Sequence, residues 1–515
     1  MRGEPDRSPA ALPANRVAIT ISIMLATFMQ GVDTTITNVA LPHMQGSLSA
    51  SQDQIAWVVT SYIVAAAIMT PLTGWLAGRF GIKYVFLISV VGFTLASALC
   101  GAATSLAELV IFRLLQGICG AALVPLSQAV LFQINPPERH AQAMSVWGMG
   151  VILGPILGPA LGGYLTDYYS WRWVFYINLP FGVLASIGIL IFIHETRHGR
   201  REPFDFFGFA ALSLAIGALQ MLLDRGELKD WFGSIEIWIE ATIAGLGLYL
   251  FIVHTVTATD RSFLNRDLLK DGNCIVGTLL MFLIGIPLYG TMTLLPLMLQ
   301  NLMNYPVMTT GLITAPRGIG TMVAMFLVAR LVGRIDTRLI ILTGLLATVV
   351  SMWQMTGFSL QMGMGPIITS GVLQGFGLGF VFTPLSIVTF STLPRHIMTQ
   401  GTAIFSLMRN IGGSIGISIV VALLSENTQT VHSRLVEHLR PDNPLAQAPF
   451  LAPPYSLSVP NGIAALNAEV TRQAQMVAYI DDFQLMMVIV LAAAPLLLLL
   501  RKPRPPRAPG LAAAE

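Results

Sequence analysis

The sequence predicts an all-α polytopic membrane protein with fourteen transmembrane helices, and three observations carry that prediction. Of 515 residues, 54% are hydrophobic and 11% are charged, whereas soluble domains are charged at about a quarter of positions. Mean hydropathy is +0.70. The apolar residues gather in runs of about 20, the length that crosses a ~30 Å hydrocarbon core at about 1.5 Å per residue.

The runs lie at 17–40, 55–76, 84–103, 106–132, 141–164 and 174–194, then at 206–223 and 234–256. Six more follow at 274–298, 308–332, 338–358, 364–390, 401–424 and 483–500. The seventh and eighth are the weakest, because acidic residues shorten their ends. The expected division is an N-terminal arm 1–16, a six-helix bundle 17–194, two linker transmembrane helices in 195–257, a second six-helix bundle 258–500 and a tail 501–515. No small-residue cleavage pattern follows the first run, so it reads as an uncleaved helix rather than a secretory signal.

The net charge of +3 matters less than where the cations fall. One side of the membrane collects Arg2, Arg7, Arg16, Arg79, Lys83, Arg139, Arg197, Arg200 and Arg201. The same side takes Arg261, Arg266, Lys270, Arg330, Arg334, Arg338, Arg395 and the tail cations Arg501, Lys502, Arg504 and Arg507. The other side has Arg172, Arg225 and Lys229 in short loops, and Arg434, Arg440 and Arg472 in one long loop. Positive loops stay in the cytoplasm, so both termini are expected there, in a multi-pass plasma (inner) membrane.

The long outer loop, 425–482, is the only sizeable segment outside the membrane. Its middle, Pro441 to Pro460, is rich in Pro, Ala and Asn and is expected to lack regular structure. Its flanks, about 425–438 and 463–478, suit helical extensions of the neighbouring spans. It is either a solvated loop or a docking surface for an extracytoplasmic partner. The cysteines, Cys100, Cys119 and Cys274, all sit in apolar runs and read as packing residues.

The two halves echo each other. Arg113-Leu114-Leu115-Gln116-Gly117-Ile118-Cys119-Gly120 is answered by Gln374-Gly375-Phe376-Gly377-Leu378-Gly379, and Gly78 to Lys83 by Ala329 to Arg334. Such repetition marks transporters whose two bundles rock about a central site.

Asp33, in the stretch Gly31 to Pro42, puts a carboxylate inside the first span. On insertion scales that costs roughly 2.5–3.5 kcal/mol at the bilayer centre. Helical rise places it about 20 Å in from the cytoplasmic face, some 10 Å short of the outer one. Arg113, on a fourth span running back inward, lies roughly 12 Å below that outer face. The depths match, so Asp33 and Arg113 are expected to pair. The pair is either a static helix clamp or a carboxylate kept titratable by its cation. Glu108 is nearer the outer face and wetter. Arg317 and Arg409 are intramembrane cations with no evident acidic partner; each either bonds helix-end carbonyls or lends positive potential to a cavity.

The fifth span carries Gly150, Gly154, Gly158 and Gly162 at four-residue spacing, with Pro155, Pro159 and Gly163. That spacing puts the glycines on one face, where another backbone can approach closely, and the prolines permit a bend. No nucleotide-binding, zinc-protease or nucleophile-elbow motif occurs, and the eight histidines are scattered. An enzyme is not expected, nor a cofactor, nor a metal site. Transport would run on an ion gradient.

These motifs resemble those of the major facilitator superfamily, specifically its fourteen-helix drug:proton antiporters of the EmrB/QacA type. Asp33 to Pro42 is similar to the first-helix motif, Gly74 to Lys83 to the loop between spans two and three, and Arg113 to Gly117 to the fourth-helix motif. Gly154 to Gly163 resembles the antiporter motif. Trp171 to Pro180, and Leu223 to Gly226 before Asp230-Trp231-Phe232, look EmrB-like. The loop motif departs from its usual form at Gly78, where an acid is customary, and at Ile82, where a base is.

The resemblance implies a major facilitator fold of two six-helix bundles plus two additional central helices, and export of hydrophobic compounds by drug:H+ antiport. It places Asp33 and Arg113 in the coupling path, and Gly74, Arg79, Gly81 and Lys83 in a gating loop. Candidates for lining a cavity are Gln30, Thr34, Asn38, Gln116, Arg317 and Arg409. A Gram-negative source would imply a periplasmic adaptor (membrane fusion protein) and an outer-membrane channel as partners. The alternative is a dedicated exporter of one amphipathic metabolite, such as a fatty acid, a siderophore or a self-made antibiotic. With Asp33 the one acid clearly inside the core, against three arginines, neutral or weakly acidic substrates are favoured over dications.

Overall fold

Breaks in the chain, more than helix propensity, shape this molecule. In the computed structural model, which describes residues 15–195, 204–257, 265–394, 397–439, 455 and 460–501, the described residues are almost wholly helical. The first half contains α1 (Arg16–Ser47), α2 (Gln52–Met69), α3 (Leu72–Phe80), α4 (Ile82–Ala102), α5 (Leu106–Gly120), α6 (Leu123–Ile134), α7 (His140–Tyr168), α8 (Trp173–Tyr176) and α9 (Asn178–Phe192). Two linker helices follow, α10 (Phe206–Arg225) and α11 (Ile235–Thr257). The second half contains α12 (Arg266–Lys270), α13 (Gly272–Leu297), α14 (Val307–Thr314), α15 (Pro316–Leu331), α16 (Thr337–Thr356), α17 (Met364–Phe390), α18 (Met398–Val436) and α19 (Pro460–Ala493).

Several of these segments are collinear pieces of one span, such as α5 with α6. Among the described residues, thirteen are long and apolar enough to cross a membrane, and fourteen if the pair α2 and α3, bent by 57°, counts as one. The linker spans prove sound despite their acidic ends, because those acids are used. Asp205 caps α10 by accepting from the Gly208 amide at 2.8 Å, and Arg225 pairs with Glu236 at 3.1 Å and Glu240 at 3.4 Å.

The halves are built alike. In the first, α1 and α7 run parallel, and α5 lies on α2 where Gly117 meets the Tyr62 carbonyl. In the second, α13 and α18 run parallel, with Gly412 against Phe282 and Gly416 against Ile286, and α17 lies on α15 where Gly375 meets the Arg317 carbonyl. Both halves turn at a left-handed glycine after the second span, Gly81 at φ +93° and Gly333 at φ +90°, a conformation that side chains with a Cβ resist.

The face on which α1 begins also holds the start of α13 and the end of the last span, where the Asn273 amide donates to the Arg501 carbonyl at 3.0 Å. At this terminal face the halves meet tightly. Thr402 Oγ1 on α18 donates to the Pro125 carbonyl on α6 at 3.1 Å, and the rings of Phe132 and Phe390 pack edge-on at 5.4 Å. Gly74 lies under Gln400, whose Cα would be 2.9 Å from any Cβ there.

At the opposite, loop face, α18 is 39 residues long, about 58 Å, and so outruns a ~30 Å core. The expected helical flanks of the long loop are present as the end of α18 and the start of α19, joined by His432 and Asn467 at 3.0 Å. The last span is longer than its apolar run: α19 is continuous from Pro460, so residue 482 belongs to a packed helix rather than to the loop. Residues 1–14, 196–203, 258–264, 395–396, 440–454, 456–459 and 502–515 lie outside the described residues.

Candidate functional site

The sequence places Asp33 halfway along α1, and four helices converge on it. Asp33 is wholly buried and Arg113, from α5, is 1% exposed. Arg113 Nη1 donates to Asp33 Oδ2 at 2.7 Å and to Gln116 Oε1 at 2.8 Å, while its Nε donates to the Val58 carbonyl on α2 at 3.0 Å. The other carboxylate oxygen accepts from Gln116 Nε2 at 2.8 Å and from Asn178 Nδ2, at the start of α9, at 2.9 Å. Ser97 on α4 accepts a second bond from Asn178 at 3.0 Å and donates to the Phe175 carbonyl at 2.8 Å. The Tyr62 ring lies 4.4 Å from the guanidinium.

Every oxygen of the carboxylate is therefore matched by a donor. A buried pair satisfied in this way is tolerable, whereas either charge alone in hydrocarbon is not. Protonating Asp33 would release Arg113 and disturb the carboxylate's bonds to α5 and α9 at once.

The glycines of the fifth span supply the wall behind it. Gly154 packs on α1 so closely that a Cβ would sit 2.8 Å from Gly31 C and Val32 N. Gly150 meets Met24, Gly158 meets Thr35 and Gly162 meets Ile36. Pro155 has no amide hydrogen to offer the Val151 carbonyl, and Gly31 lies against both. Gly163, off this face, is near Val307 instead.

On the other side of α7 is a cavity of about 130 Å³ between the halves, lined by Val151, Pro155 and Ile156 of α7 and by residues of α13, α15, α17 and α18. Its walls are apolar apart from Tyr289, Thr321, Arg317 and Arg409. Arg317 makes one long bond, to the Leu288 carbonyl at 3.5 Å. Arg409 reaches the Asn410 side chain at 3.4 Å and lies 6.0 Å from the Phe382 ring. Neither pairs with a carboxylate among the described residues.

A family model described as the Major Facilitator Superfamily matches residues 23–417. The chain belongs to the major facilitator superfamily. Its halves are that superfamily's two six-helix bundles, with α10 and α11 as the additional pair. The multidrug export protein EmrB of Escherichia coli K12 is 37% identical over 440 residues, 85% of this chain and 86% of that one. EmrB of Haemophilus influenzae is 34% identical over 91% of this chain and 92% of its own. The fatty acid resistance protein FarB of Neisseria gonorrhoeae is 36% identical, covering 82% and 83%. Among solved structures, the human organic anion transporter MFSD10 superposes with a TM-score of 0.59 at 15% identity, over 92% of this chain and 99% of that one; at that identity the likeness speaks for the fold.

In this facilitator fold the expected site residues separate into groups. Asp33 and Arg113 are together. Gln116 does not line the cavity: three residues on from Arg113 it is on the same helix face, and it is spent on Asp33. Thr34 and Asn38 are exposed on α1, and Gln30 is half-buried, none of them in the walls of the cavity around Arg317 and Arg409. In the gating loop Arg79 is exposed, Lys83 Nζ donates to the Leu190 carbonyl at 2.7 Å, and the carboxylate of Glu195 lies against Gly81. The loop thus keeps a nearby acid although Gly78 is not one. Glu108 is exposed and caps its own helix, accepting from the Thr104 amide at 2.8 Å. Asn178, Ser97 and Tyr62 join the surroundings of Asp33 without having been expected there from the sequence. The available signal for Asn178 is a carboxamide inside the stretch Trp171 to Pro180, at the start of an apolar run.

Proposed function

We propose that this protein exports hydrophobic compounds from the cytoplasm in exchange for protons, by alternating access of its two halves. The observation that carries the reading is the sealed Asp33–Arg113 pair on the helix that packs behind the inter-half cavity. The names of the relatives, multidrug export for EmrB and fatty acid resistance for FarB, support the same class. In this reading the terminal face is cytoplasmic, the boundaries of the bundles are those expected from the sequence, and the structure is closed on the cytoplasmic side. Cells expressing the chain should accumulate less substrate than controls, and the difference should vanish when the proton gradient is collapsed. Persistence of export without a gradient would refute proton coupling.

The cavity favours neutral or weakly acidic substrates, because two guanidinium groups without carboxylates repel cations and attract anions. Replacing Arg317 and Arg409 together by Gln should cut export of a lipophilic weak acid about tenfold, roughly 1.4 kcal/mol, and spare a neutral dye. Equal losses for both would remove the charge argument.

We also assign the chain to the inner-membrane position of a tripartite system. Support comes from the paired extensions of α18 and α19 beyond the core and from the long loop between them. Deleting 440–460 should leave insertion intact and weaken crosslinking to a co-expressed periplasmic adaptor. An undiminished crosslink would retire the docking role.

A further inference from the structure

Matching the two halves residue by residue exposes a second buried carboxylate in the place where the first half keeps its coupling cluster. Each half has a Gln-Gly pair at the same position. Gln116 and Gln374 are each ten residues past the first residue of their helices, Leu106 in α5 and Met364 in α17. In each pair the glycine lets its helix touch a neighbour, Gly117 on Tyr62 of α2 and Gly375 on Arg317 of α15. In each pair the glutamine reaches the first helix of its half: Gln116 Nε2 reaches Asp33 on α1 at 2.8 Å, and Gln374 Nε2 reaches Thr291 Oγ1 on α13 at 2.9 Å. Each also meets a sulfur on the third span, Cys100 on α4 at 3.7 Å and Met352 on α16 at 3.9 Å.

The correspondence extends to the sixth span. There the first half has Asn178 on α9, and the second has Asp482 on α19. Asp482 is 0% exposed, and among the described residues neither of its carboxylate oxygens has a hydrogen-bond partner. Its helix neighbours Tyr479, Phe483 and Met486 share one apolar cluster with Met352, Met355 and Val420. Asp33 is about 25 Å from the start of α1; Asp482 is about 16 Å from the end of α19, and the 3-10 turns of Ala494–Leu499 that continue it to the terminal face add about 12 Å. The two acids are at one level.

What the second cluster lacks is the cation. Three residues before the glutamine, α5 carries Arg113 and α17 carries Gly371. The groups nearest Asp482 on its own helix are Tyr479 and Asp481. Of the helices packed on α19, α13 and α16 bring Thr291, Leu294, Leu295, Met352 and Met355 toward this cluster and no charged group, the cation Arg338 being at the far end of α16. On α18, the His432–Asn467 register puts residue 417 opposite Asp482. Arg409 is then about 12 Å below, and Glu426, His432 and Arg434 at least about 13 Å above. An ionised carboxylate so placed would be uncompensated, which proteins avoid by neutralising the group.

We propose that Asp482 is the proton-binding carboxylate of the second half, the counterpart of the Asp33 site, and that it holds its proton in this state, closed at the terminal face. Asp33 is neutralised by a cation and Asp482 by a proton. When the halves rock and the terminal face opens, Asp482 releases its proton as H+ to water on that side and becomes a carboxylate; on reclosing it takes one up from the loop face. The inference rests on the proton-driven reading of this protein.

The test uses the full chain in proteoliposomes, with the neutral dye Nile red as probe, and measures steady accumulation against the imposed pH difference. The slope of log accumulation on pH difference counts protons per dye. Asp482→Asn should lower that slope by one, about a tenfold loss per pH unit. A coupled wild type whose slope the variant leaves unchanged overturns this proposal alone, while a wild type with no slope overturns the proton-driven reading with it. Loss of driven accumulation with dye counterflow intact supports the proposal, whereas loss of both in a folded variant marks Asp482 as structural and overturns it. Should Asp482→Asn fail to fold, Asp482→Glu keeps the acid. The infrared carboxylic-acid band should then move between wild type and Asp482→Glu, and an unmoved band counts against the assignment.

Discussion

Asp33→Asn should abolish gradient-driven export and leave a folded protein that still exchanges substrate. The replacement is isosteric and keeps one acceptor oxygen, so Arg113 retains Gln116 and the Val58 carbonyl at 2.8 and 3.0 Å. What is lost is the titratable group whose protonation would free Arg113, a step that Asp482, with no cation beside it, does not replace. Arg113→Ala should be worse for folding, because it leaves Asp33 buried and uncompensated, a change that costs about 3–5 kcal/mol for a buried pair. Thermal unfolding in detergent should therefore rank the two variants, with Asp33→Asn below wild type because the buried Arg113 is left with neutral acceptors alone, and Arg113→Ala lower still because it adds a void to an unpaired carboxylate. Substrate accumulation in energised cells should be at the vector-control level for both. Wild-type export by Asp33→Asn would reduce the pair to a device that holds α1 against α5, and the coupling role would have to move elsewhere.

How much of this is legible in the sequence depends on which coordinate of a helix is needed. Depth is linear in residue number, so residue spacing alone puts Asp33 and Arg113 at one level, and they do pair. Azimuth between helices is not linear in anything the sequence displays. Asn178 and Ser97 reach Asp33 only because α9 and α4 happen to present those faces, and Gln116 turns inward to Asp33 rather than to the cavity for the same reason. The four-residue glycine spacing in α7 foretells a backbone contact, but not that α1 makes it. Asp482 escapes the sequence for a different cause. The last apolar run begins at residue 483, so hydropathy assigns Asp482 to the loop, whereas packing against α13, α16 and α18 buries polar residues of α19 that lie N-terminal to that run. The central acid count changes accordingly, although Asp482 is packed away from the cavity and leaves the two arginines there unanswered.

Gly154→Ala should be strongly damaging, as should Gly117→Ala, whose Cβ would run into the Tyr62 carbonyl oxygen. At Gly154 the Cβ would sit 2.8 Å from Gly31 C and Val32 N and 2.9 Å from Gly31 Cα, and all three are backbone atoms that no rotamer change can move. Overpacking of a tight core costs about 1–3 kcal/mol, and here relief would require α1 to slide off α7. Asp33 is two residues from the point of contact, so a slide of about an ångström would misplace it against Arg113, Gln116 and Asn178 together. Gly245 on α11 is the control, because nothing lies within 4 Å of a Cβ there and Ala gains roughly 1 kcal/mol in a helix over Gly. Gly245→Ala should keep export and a wild-type or higher unfolding temperature. Gly154→Ala should lose export and unfold several degrees lower, with Gly158→Ala, whose Cβ meets the Thr35 side chain, between them because a hydroxyl can rotate away. Full export by Gly154→Ala would mean that α1 and α7 tolerate separation, and the glycine face would then matter for assembly rather than for holding Asp33 in place.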